Sequence, residues 1–156
     1  MQIRPIKRHF ALQPVSREHH HSLLTCWKIR QGVEKHIETQ RIQAYTHWYY
    51  RYHIKPHLEL EERHIFPILG TDDEIIQKVL LQHRELERLF EIAAPSSAEL
   101  LQLAYLLQEH VRFEERILFK RIQEEARPEA LQDLLTYHQE QRIVDKLDDP
   151  FWEKTR

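Results

Sequence analysis

The stretch HLELEERHIFPIL, from His57 to Leu69, returns as HVRFEERILFKRI, from His110 to Ile122. Set 53 residues apart, the two copies share His, Glu-Glu-Arg and Phe at matching places, with Ile65 and Leu118 as a conservative pair. In each copy a Glu stands four residues after the His, as His57 with Glu61 and His110 with Glu114. On a helix this spacing places imidazole and carboxylate on one face, about a turn apart, where both can reach one ion. A His-Glu pair alone is equally the mark of a surface ion pair, and a Glu-rich chain with twelve histidines should contain roughly one or two by chance. The repeated apolar flanks, Phe66 with Phe119 and Ile65 with Leu118, tie each pair to a helix with a core-facing stripe. Each copy reads as half of a metal site.

The composition frames that reading. A chain of 156 residues suits one domain with one sizeable core, and two Gly among many Leu, Glu, Gln and Arg predict long helices in an all-α fold. A net charge of −2, from 23 basic and 25 acidic residues well mixed, offers no basic field for nucleic acid. Cys26 is the single cysteine and has no internal partner. The opening MQIRPIKRHFALQP lacks the apolar run of a secretory signal, and nothing approaches a membrane span. These features predict a soluble protein of a reducing cytoplasm, with neither a nucleic-acid nor a membrane partner. Twelve histidines beside one cysteine point to imidazole ligation.

Along the chain, residues 1–15, with Pro5 and Pro14, read as an irregular lead-in. Ser16 is the expected N-cap of a first helix running to about His36, with Leu23, Leu24, Trp27, Val33 and Ile37 facing the core. Gly32 within it marks either a late cap or a close helix approach. A second helix spans about 38–69, kinked at Pro56 or made of two helical pieces there, and carries Tyr45, Trp48, Tyr49 and Tyr52. Gly70 ends it, and Thr71 with Glu74 suggests a capping box for a third helix around His83. A second box, Ser96 with Glu99, opens a fourth helix to about Ala126. Beyond Pro128, residues 129–147 read as a shorter amphipathic helix. The expectation is an up-down-up-down four-helix bundle over 16–126, with an additional C-terminal helix and tail (127–156) that caps it, meets a protein partner or pairs two copies.

The two pairs supply four donors, and the other helices hold histidines to complete them. His83 is followed at three and seven residues by Leu86 and Phe90. His20 has Leu23 and Trp27 at the same offsets and so matches better than His19 or His21. With His then His-x-x-x-Glu in each half, the chain resembles the hemerythrin-like family of cation-binding domains, over roughly residues 14 to 125. The resemblance implies a non-haem di-iron centre inside the bundle, joined by an oxo or hydroxo bridge. His20 and His57 would hold one iron, His83 and His110 the other, and Glu61 and Glu114 would bridge them. Imidazole and carboxylate suit iron, and they also admit zinc or manganese.

The pattern departs from the family's oxygen carriers, which have a further His four residues after the third-helix His and an Asp five residues after the fourth-helix His. Here those places hold Glu87 and Glu115. The expected activity is therefore binding of, or reaction with, dioxygen, nitric oxide or peroxide, or sensing of iron and redox state. An iron store or partner-binding sensor without turnover is the alternative. Glu62 and Glu115 compete for the bridging role, but i+4 keeps a carboxylate on the His face better than i+5. The ferritin-like scheme of Glu-x-x-His fits Glu61 with His64 and fails in the second copy, where Ile117 stands in place of His.

Overall fold

The computed structural model describes residues 8–137 and 143–154, and over these it is all-helical with no strand. Helix α1 covers Gln13–Glu34. Helix α2 (Thr39–Tyr49) passes through a π-helical turn (Tyr50–Ile54) into α3 (Lys55–Leu60), a second π-turn (Glu61–Ile65) and a 3₁₀ turn (Phe66–Ile68). Helix α4 is Glu74–Phe90. Helix α5 (Ser97–Phe113) continues through a third π-turn (Glu114–Leu118) into α6 (Phe119–Glu125), and α7 is Pro128–Tyr137. Helix α5 is central, packing against both α1 and α4, while α1 also meets α2 and α7 lies against the second π-turn. Among the described residues no helix is long and apolar enough to cross a membrane.

Local chemistry accounts for most boundaries. Ser96 and Glu99 form the reciprocal capping box at the start of α5. The start of α4 differs from expectation: Asp73, rather than Thr71, is the N-cap, its carboxylate accepting from the Ile75 amide at 2.9 Å. Pro56 does not break its helix. It has no N–H to give, and just before it the ladder slips to i→i−5, the Lys55 amide donating to the Tyr50 carbonyl. Helix α1 begins ahead of Ser16 and ends before His36, which adopts a left-handed φ of 56°. Its Gly32 is a place of close approach, since an added Cβ would lie 2.8 Å from side-chain atoms of Ile42 and Phe151.

Two apolar clusters form the core. One gathers Cys26, Ile29, Tyr45, Leu58, Leu86, Leu107, Phe151 and Trp152 among others, and the second Leu12, Val15, Ile65, Val79, Leu118 and Ile122. On each main helical run the chain passes from one cluster to the other, and the candidate ligands lie in between: His19 between Val15 and Cys26, His57 between Ile54 and Ile65, His83 between Val79 and Leu86, His110 between Leu107 and Leu118. A polar layer is thus closed off by apolar packing on both sides.

The C-terminal expectation needs correction. Leu131 and Leu134 of α7 are buried in the second cluster, but residues 143–147 are not helical; 138–142, like 1–7 of the lead-in, lie outside the described residues. The tail instead carries Asp145 to the buried amine of Lys28 and inserts Phe151 and Trp152 into the first cluster.

Candidate metal centre

The two Glu-Glu-Arg copies share a local structure. In both, the π-turn begins on the glutamate four residues after the His, and the Phe five residues further on donates its amide to that glutamate's carbonyl, Phe66 to Glu61 and Phe119 to Glu114. Each turn admits one extra residue, which lets His57, Glu61 and Phe66, and their counterparts, all reach the interior. The rings of Phe66 and Phe119 lie against those of His83 and His19, with centroids 5.1 and 5.6 Å apart.

Helices α1, α3, α4 and α5 then bring six buried side chains together in two overlapping groups. His19, His57, Glu61 and Glu114 form one, and Glu61, His83, His110 and Glu114 the other; within each, one ligand-type atom per residue lies within 4.8 Å of the rest. Glu61 and Glu114 belong to both and are 0% exposed. Nε2 of His57 is 3.0 Å from Glu61, Nε2 of His19 and of His110 are 3.1 and 2.8 Å from Glu114, and Nε2 of His83 is 3.6 and 3.4 Å from the two glutamates.

Five of the six ligands expected from the sequence are in these groups; His20 is not. It is exposed, and His19 takes the place. The apolar match that favoured His20 rests on Leu23 and Trp27, which with Leu24 are solvent-exposed. The inward face of α1 instead reads Val15, His19, Ser22, Cys26 and Ile29. Small residues occupy it because Tyr49 fills the space, its hydroxyl 2.7 Å from Ser22 Oγ. Among the aromatic residues, Tyr45, Tyr49, Phe66, Phe90 and Phe119 are buried, and Trp27 is not. His64 stacks on Tyr137 away from both groups.

Three imidazoles of the two groups are hydrogen-bonded at Nδ1 by an oxygen outside them, and the fourth has a carboxylate at ion-pair distance. His19 Nδ1 meets Glu115 at 2.7 Å, His83 Nδ1 meets Glu62 at 2.9 Å, His110 Nδ1 meets the Gln82 side-chain oxygen at 2.9 Å, and His57 Nδ1 stands 3.6 Å from Glu18. In a neutral ring, engagement at Nδ1 would leave Nε2 as the inward donor atom, the outer-partner arrangement of metal-bound histidine. Glu62 and Glu115 thus serve as outer acceptors, each steadied by an arginine, Arg84 and Arg8. Glu87 pairs with Arg84 at 3.2 Å. Sequence reasoning ranked His19 behind His20, took Glu62 and Glu115 as rivals for the bridging place, and missed Glu18 and Gln82. A signal was present, because Glu18-His19 and Gln82-His83 are both an acceptor followed directly by a His.

A cation fits the inner atoms. Nε2 of His19, His57 and His110, both oxygens of Glu61 and Oε2 of Glu114 are buried without a hydrogen bond, although they lie near one another. They face one another without hydrogen-bond geometry, and buried polar atoms left so cost about 1–3 kcal/mol each. Burial opposes a charge on His19, but Glu114 and Glu115 outweigh it and lift its pKa from 6.5 to about 9. His57 is raised well above 6.5 against the same burial, by Glu61 and Glu18, and His83 by Glu114, Glu61 and Glu62. Glu114, for all its burial, is held well below 4.5, chiefly by His110. Imidazole nitrogens and shared carboxylates are a donor set that could hold a metal ion in each group. Compared with protein-family models, curated proteins and solved structures, the chain matched none of them.

Proposed function

We propose that the chain is a non-haem di-iron protein of hemerythrin-like kind, a four-helix bundle with α7 added, which binds or reacts with dioxygen, nitric oxide or peroxide. The observation that carries this reading is the sharing of Glu61 and Glu114 by two groups, each completed by two histidines. His19 and His57 would hold one iron and His83 and His110 the other, with the two glutamates common to both. Two irons so held would supply one-electron steps and leave positions for a small ligand. The protein's own part is to fix the rings through their Nδ1 partners, to cover His19 and His83 with Phe119 and Phe66, and to keep bulk water out of a layer sealed by two apolar clusters.

Elemental analysis with an absorption spectrum of the same sample tests this. Wild type loaded anaerobically with ferrous iron is expected to hold about two irons per chain and to change its spectrum on exposure to dioxygen, nitric oxide or peroxide, while Glu61→Ala, which removes a group common to both positions, should hold fewer than one. Zinc or manganese in place of iron would correct the metal, and no uptake of any of the three would overturn the reading. Two irons inert to all three ligands would favour an iron store or partner-binding sensor.

A further inference from the structure

The two halves of the centre are related by sequence as well as by space. Glu115 on His19 corresponds to Glu62 on His83, each carboxylate facing Nδ1 and each paired with an arginine. The next pair of counterparts differs. His57 Nδ1 faces the carboxylate of Glu18, at an ion-pair distance of 3.6 Å, whereas His110 Nδ1 faces the neutral carboxamide oxygen of Gln82 at 2.9 Å. Both acceptors directly precede the remaining His of their position, Glu18 before His19 and Gln82 before His83.

A full negative charge on the Nδ1 side of the ring makes Nε2 a stronger donor than a carboxamide does. It also lowers the potential felt by a cation a few ångströms further in. The shared glutamates, the matched Glu62 and Glu115 and the two facing phenylalanines do not distinguish the positions. Ser16 Oγ also bonds Glu115 at 3.1 Å, and the difference in charge between the halves is one carboxylate against one amide. Resting on the dinuclear reading above, we propose that Glu18 and Gln82 act as positioning residues that make the two metal positions unequal: the His19–His57 position takes up the first metal ion and, in a pair differing by one electron, holds the more oxidised one.

Cobalt(II) titration of the metal-free protein, followed by the paramagnetically shifted ring signals of nitrogen-labelled histidine, tests this without reference to activity. In wild type the first equivalent should shift His19 and His57 before His83 and His110. Glu18→Gln should weaken that first step by roughly 10–100-fold, the usual effect of losing an outer-shell partner, and blur the order. The exchange variant Glu18→Gln with Gln82→Glu keeps the total charge and both side-chain sizes, and should reverse the order, filling His83 and His110 first. Uptake of two cobalt ions with all four histidines shifting together in wild type, or an order unchanged in the exchange variant, would overturn the inequality while leaving the dinuclear site intact. Failure of wild type to bind cobalt at all would overturn both.

Discussion

At His19 and His20, one residue of helical phase separates a candidate ligand from a solvated side chain. His19 lies within the first ligand group and His20 is exposed. His19→Ala is expected to lose about half of the bound metal and His20→Ala none of it, as read by elemental analysis after loading; equal loss from both would contradict the placement. The raised pKa of His19 sets a pH dependence for the metal-free protein. A folded-state pKa above the unfolded value of 6.5 means that the folded chain holds the proton more tightly. The contribution to stability is full below pH 6.5 and is lost as pH rises through about 9. For this one group it is on the order of 3 kcal/mol. Thermal unfolding of the metal-free protein should therefore fall to lower temperature between pH 6 and 9.5, at roughly those limits, and less so in His19→Ala. With metal bound, when the imidazoles must be neutral, acid rather than alkali should destabilise.

At the scale of helices, what sets the geometry is departure from regular winding. The π-turns starting at Glu61 and at Glu114 occur at equivalent places of the repeat, and both lie at the candidate site. The sequence pattern shows the repeat plainly but not the slipped hydrogen bonds, because no residue type marks an i→i−5 turn as Pro or Gly marks a kink. Closeness of helices is similarly hidden. Gly32→Ala would set a methyl 2.8 Å from Ile42 and Phe151, so either α2 or the tail must give way. A cost of about 1–3 kcal/mol in urea unfolding is expected, and no cost would show that the contact is soft.

For the molecule as a whole, the tail matters as much as the helices. Lys28, only 2% exposed, pairs with Asp145, bonds the Tyr45 hydroxyl at 3.0 Å and lies 3.9 Å over the Trp152 ring. Tyr45 in turn donates to Asp145 at 2.7 Å. A buried ammonium so held ties residues 143–154 to α1 and α2, across 117 and 100 residues of chain. Asp145→Ala should destabilise the fold by about 3 kcal/mol and expose the C-terminal tail to proteolysis, because it leaves Lys28 buried and unpaired. Replacing both members, Lys28→Met with Asp145→Leu, should recover most of that loss. If the single variant is as stable as wild type, the pair does not anchor the tail.

By itself the sequence determined the helical class, from its paucity of Gly and its apolar periods, and it marked His57, Glu61, His83, His110 and Glu114, which the fold does bring together. Those residues were legible because a helix turns i,i+4 spacing into adjacency and because the pattern occurs twice. Only the tertiary structure decided among His19, His20 and His21, because three consecutive histidines face three directions and the apolar residues that seemed to fix the phase, Leu23 and Trp27, lie on the outer face. It alone decided the roles of Glu18, Glu62, Gln82 and Glu115 as outer partners and the docking of the tail on Lys28. Such contacts join residues remote in the chain through side-chain geometry, which has no period to read.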